Sequence, residues 1–150
     1  MNSEKNKPSG FLKRGFTLVE IMIVVAIIVL LTAFAIPGIL RSRLSANEAA
    51  AIAAMKTIAS GAVSYRAGNS NYPPNLSILS SSNPPYIDGV LGTGVKQGYN
   101  FVLTSGVGYF NVTAWPTLYN VTGTRSFYVD TSGVVRVSPS GNATIASTPI

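Results

Sequence analysis

From Phe16 to Ile36 the chain runs for 21 residues in which only Thr17, Glu20 and Thr32 are polar. As a helix rising about 1.5 Å per residue, this stretch is roughly 30 Å long, the thickness of a bilayer's hydrocarbon core. It is apolar on all sides, which suits lipid or a surround of equivalent helices. One carboxylate, Glu20, lies close to its start. A charge at the centre of a bilayer costs about 2.5–3.5 kcal/mol on insertion scales, and less near an interface. Glu20 is one turn in from Phe16, where snorkelling and the positive end of the helix dipole relieve part of that cost. The acid is thus either a tolerated interfacial charge or one kept for a cationic partner. An ionisable group inside a membrane helix is read first as functional, and the flanking residues favour the second reading.

Those residues are Lys13-Arg14-Gly15-Phe16-Thr17-Leu18-Val19-Glu20, then 16 apolar or near-apolar residues to Ile36, then Pro37. The pattern resembles the N-terminal signal of type IV pilins and of type II secretion pseudopilins. The resemblance covers Lys13 to roughly Ala54 and is only general beyond. It implies that a prepilin peptidase cuts between Gly15 and Phe16 and methylates the new N-terminus at Phe16. It places Glu20 fifth in the mature chain, where it meets the N-terminal amine of a neighbouring subunit's Phe16 during filament assembly. It also places Pro37 near the mature chain's twenty-second residue.

An ordinary secretory signal has a shorter apolar region followed by a small-residue cleavage site. Here the Gly-Phe junction precedes the apolar run, so cutting there leaves the helix on the product. Residues 1–15 carry Lys5, Lys7, Lys13 and Arg14 against Glu4. They read as a disordered leader that holds the N-terminus in the cytoplasm while the C-terminal portion is sent outward. The formal charge of +6 falls to +3 without them, too weak a balance to argue for nucleic-acid binding.

The predicted domains are a leader 1–15, a transmembrane and filament-core helix 16–38, and a globular part 39–150. Pro37-Gly38 is expected to kink or locally melt the helix, or else to end one helix before a second begins. From 39 to 67 the apolar residues Leu40, Leu44, Ile52, Met55, Ile58 and Val63 draw one stripe, with a jump of eight across Glu48. The helix is expected to end near Gly68 in a left-handed cap. A variable loop, 68–97, holds several prolines and glycines and one helical turn around Leu76–Leu79. From Gly98 to 138 the period becomes two, which predicts two hairpins and four antiparallel strands. Residues 139–150 are predicted to be a mobile tail. The fold class is α+β: a long N-terminal helix packed on an antiparallel sheet.

Histidine and cysteine are absent from the chain. That removes the commonest general base, the commonest metal ligand and the best nucleophile. The acids beyond the leader are Glu20, Glu48, Asp88 and Asp130, which suggest no carboxylate pair. Gly92-Thr93-Gly94 lacks the lysine-serine ending of a phosphate loop. Some pseudopilins bind calcium in a C-terminal loop, and Asp130 is the comparable spot, but one aspartate is a poor set for an ion wanting six to eight oxygens. No catalytic residue, metal or cofactor is expected, and the tyrosines and Trp115 read as core or rim.

The expected function is a structural subunit of a type IV pilus. The alternatives are a type II secretion pseudopilin, or a monomeric membrane-tethered binding module with no use for Glu20. The expected partners are copies of the chain and related pilins, a prepilin peptidase, the inner membrane and an assembly platform. The expected locations are the inner membrane as a single-pass precursor, then a surface pilus or a periplasmic pseudopilus.

Overall fold

The computed structural model describes residues 15–150; the predicted leader, apart from Gly15, lies outside them. Helix α1 spans Leu18–Gly68, 51 residues. The described chain divides after Gly38, and Ile39–Ile150 forms a compact unit of its own. Helical backbone continues through Pro37 and Gly38. The helix therefore neither ends nor melts at the proline, which corrects the expectations of local melting and of a second helix beginning there. In the first unit every side chain from Gly15 onward is exposed, with Phe16 and Phe34 86% and 78% accessible.

In the second unit α1 buries Glu48, Ala51, Ala54, Met55, Ile58, Ala59, Gly61 and Ala62. Leu40 and Val63, assigned to the apolar stripe from sequence, are exposed. The stripe that packs is built mainly from alanine, a strong helix former whose small side chain lets a helix approach a sheet closely. The jump of eight between Leu44 and Ile52 is bridged by Glu48, four residues from each and itself buried. The helix ends without a left-handed glycine. Instead the Asn69 side-chain amide donates to Tyr65 O at 2.8 Å and its backbone N–H donates to Arg66 O at 3.2 Å.

The connection after α1 is more ordered than a loop. It holds α2 (Leu76–Ser81), capped by Asn75, and α3 (Gly89–Gly92), capped by Asp88. The sheet follows: β1 (Val95–Lys96), β2 (Tyr99–Gly106), β3 (Tyr109–Pro116), β4 (Ser126–Asp130), β5 (Arg136–Ser138) and β6 (Thr148–Pro149). All pair antiparallel in chain order. Six strands replace the four expected, because two-residue edge strands carry too short a pattern to read. On one face Tyr99, Phe101, Leu103, Phe110, Val112, Ala114, Phe127 and Val129 are buried in one cluster with the α1 residues. Burying a side chain such as Met55 or Ile58 is worth about 1.5–3 kcal/mol.

The tail is part of this unit. Strand β6 pairs with β5, Ile150 N donates to Val135 O at 3.0 Å, Ser126 Oγ donates to Gly141 O, and Ala143 is buried. A Ser/Thr-rich composition hid these contacts, since most of them are made by backbone groups that every residue carries.

Candidate functional site

Helix α1 opens at Leu18, and Thr17 stands at its N-cap with Glu20 at the third helical position. Glu20 Oε2 accepts from Thr17 N and Thr17 Oγ1, both at 2.8 Å, while Glu20 N donates to Thr17 Oγ1 at 3.2 Å. This reciprocal arrangement is a capping box, spelled Thr-x-x-Glu, and it satisfies N–H groups that a helix start leaves without partners. The spelling is legible in the sequence, though an acid in an apolar run draws attention to its charge before its capping role. The acid thus has a local task, and its carboxylate is held at a defined place one turn from Phe16. The Gly15–Phe16 peptide bond lies just ahead of the helix in exposed, non-helical backbone.

A second carboxylate on the same helix is held very differently. Glu48 is 5% exposed. Its Oε1 accepts from Thr124 N at 2.9 Å and Thr124 Oγ1 at 2.7 Å. Its Oε2 accepts from Arg125 Nε at 2.8 Å and lies 2.7 Å from Arg125 Nη2. One residue earlier, Asn47 Nδ2 donates to Thr122 O at 2.9 Å. Burial pushes the Glu48 carboxyl up, but the Thr124 hydrogen bonds and the Arg125 guanidinium outweigh it and hold the group below its usual range. Together these bonds fasten α1 to the β3–β4 connection. Beneath them Tyr99, buried, donates from its hydroxyl to Arg125 O at 2.9 Å, and burial raises its pKa well above the usual phenol value. The sequence signal for this fastening was an acid standing on the apolar stripe, which demands buried partners.

The remaining acids are local. Asp88 caps α3 through Leu91 N at 2.7 Å and pairs with Lys96 Nζ at 2.7 Å. The Lys96 bond leads in holding its carboxyl below the ordinary value. Asp130 Oδ1 accepts from Ser132 N at 2.8 Å in the β4–β5 turn. The four carboxylates sit in four separate environments, and among the described residues no group of three acidic, histidine or cysteine side chains could hold a metal. Of the residues assigned from sequence, Phe16 and Glu20 lie together at the helix start with Gly15 just before them, while Pro37 and Gly38 lie about five turns further along.

The prokaryotic N-terminal methylation motif matches residues 11–36. The chain is 37% identical over 68 residues to the type IV wide pilus major component PilA4 of Thermus thermophilus, across 45% of this chain and 52% of that protein. It is 32% identical over 65 residues to the type II secretion system core protein G of Pectobacterium carotovorum, across 43% of this chain and 42% of that protein. The chain carries this motif and is similar over its N-terminal part to a type IV pilus component and to a type II secretion core protein. It spans about half the length of the curated relatives it matches.

Proposed function

We propose that this chain is a structural subunit of a type IV pilus, cut by a prepilin peptidase between Gly15 and Phe16 and methylated at Phe16. The mature subunit resides in the inner membrane through the Phe16–Ile36 helix. It then passes into a helical filament with copies of itself and related pilins. The observation that carries this reading is Glu20, a carboxylate positioned one turn from Phe16 on a rod whose every other side chain to Ile36 is exposed and mostly apolar. Out of lipid, that rod needs equivalent helices around it, since exposed apolar surface costs about 25 cal/mol per Å² in water. Glu20 then sets the register by pairing with the Phe16 amine of a neighbour, an amine that exists only after cleavage. A single contact repeated without closure builds a filament. Pro37 and Gly38 mark the place where the helix bends as it exchanges lipid for neighbours.

The match to a type II secretion core protein keeps one further reading open, a periplasmic pseudopilus in place of a surface pilus. Mass spectrometry of the mature N-terminus, with electron microscopy of sheared surface material, tests both. A chain that begins at methylated Phe16 within a surface fibre supports the pilus. The same terminus with no surface fibre supports the pseudopilus, and a chain that retains residues 1–15 in cells possessing the peptidase overturns both. Glu20→Gln separates the two tasks of the acid. Glutamine is accepted in a capping box but carries no charge, so the variant is expected to insert normally and to lose filaments. Wild-type filament levels would leave Glu20 a helix cap only.

A further inference from the structure

The β3–β4 connection contains a rigid turn whose outer face is apolar. Val121 N and Thr122 N both donate to Leu118 O, at 3.2 and 2.9 Å. Thr122 Oγ1 accepts from Leu118 N and donates to Leu118 O, both at 3.1 Å. The turn therefore holds Leu118, Tyr119 and Val121 outward at 59%, 43% and 67% exposure. It is tied to α1 through Asn47 and Glu48, as described above. Asn120 and Val121 share a cleft of about 310 Å³ with Leu40, Arg43 and Leu44 of α1. Arg41 and Arg43 are exposed, and neither pairs with a carboxylate among the described residues.

Apolar tips, one amphipathic aromatic ring and unpaired guanidinium groups are the mixture that suits the boundary between lipid headgroups and acyl chains. Charge decides between that boundary and a second copy of the chain. Of the side-chain carboxylates of Ile39–Ile150, Glu48 and Asp88 are ion-paired to Arg125 and Lys96, and Asp130 accepts from the uncharged Ser132 N–H. The same unit of a second copy offers the two arginines one side-chain acid without an ion pair, Asp130, whereas an anionic bilayer offers many. Position agrees. Leu40 follows Ile36, the end of the apolar run, by four residues, which reach no further than about 14 Å even fully extended.

We propose that Leu118, Tyr119 and Val121, with Leu40, Arg41 and Arg43, dock on the surface of an anionic bilayer and hold the globular unit against the membrane from which its own helix emerges. This rests on the reading that Phe16–Ile36 spans that membrane. The chain contains no cysteine, so one introduced thiol reports alone. Full-length Val121→Cys, Val107→Cys and Leu30→Cys chains, each carrying a fluorophore, are reconstituted in phosphatidylglycerol–phosphatidylcholine vesicles bearing nitroxide lipids. Val107, 92% exposed at the β2–β3 turn, is the control in water. The label at 121 is expected to lose about half its emission to nitroxides near the headgroups, against less than about a tenth at 107. The loss at 121 is expected to fall about threefold in purely zwitterionic vesicles or with Arg41→Gln and Arg43→Gln together. Equal, weak quenching at 121 and 107 with deep quenching at 30 overturns the docking surface and leaves the span standing. No quenching at 30 overturns both. Contact between labels at 121 on separate chains, in place of lipid quenching, makes the patch a subunit interface and overturns the proposal.

Discussion

Glu48 is the residue on which the globular unit's internal order most visibly turns. It is buried and accepts from two groups of Thr124 and from the Arg125 guanidinium. Glu48→Ala leaves the Thr124 donors without an acceptor and Arg125 without its counter-charge. Because Arg125 is half exposed, water recovers part of that loss. Chemical denaturation is expected to show a loss of about 3 kcal/mol, at the lower end for a broken buried pair. The pH dependence has a defined sign. A carboxyl held below its usual range contributes stability that is present above the unfolded value, about 4.3 for Glu, and is lost as pH falls through the folded value. The wild type is therefore expected to lose stability below about pH 4 more steeply than Glu48→Gln, which has no proton to take up. Parallel acid limbs in the two proteins would show that Glu48 does not titrate on folding.

At the scale of elements, the tail and the glycines beside the β3–β4 connection make the sharpest demands. Deleting residues 139–150 removes β6, the acceptor for Ser126 Oγ and the buried Ala143. The core loses part of its edge, and the midpoint in urea is expected to fall by the equivalent of about 2 kcal/mol; an unchanged midpoint would return the tail to the mobile segment its composition suggested. Gly98 has φ +76°, and a Cβ there would lie 2.7 Å from Thr122 Cβ. Gly123 is packed against the Tyr99 ring. Gly98→Ala is expected to cost about 1–3 kcal/mol through strain and displacement of the turn, measured as a lower thermal midpoint. These close contacts were not legible beforehand, because a glycine's reason for being glycine lies in what approaches it. The interior of the sheet was legible. The alternation Tyr99, Phe101, Leu103 and Phe110, Val112, Ala114 marks the buried face, and those residues are buried, since a period of two permits no other division of a strand's side chains.

For the whole molecule, a consequence follows from where the core lies. Every residue of the buried apolar cluster falls between Ala51 and Val135. A chain beginning at Ile39 is therefore expected to fold, to melt in one cooperative transition by calorimetry, and to remain monomeric on a sizing column. Aggregation or a non-cooperative melt would place part of its stability in the apolar helix. The sequence alone determined that helix and its lone acid, because an apolar run of bilayer length has few physical options and its signals are contiguous in the chain. It also determined the α+β class, through a switch of hydrophobic period from three-to-four to two. Tertiary structure decided which face of the second half of α1 is buried, that Glu48 belongs to that face, that the C-terminal residues complete the sheet, and which apolar side chains the β3–β4 turn leaves outside. Each of those depends on partners some 75 residues away or on backbone bonds that any side chain permits, and neither leaves a local pattern to read.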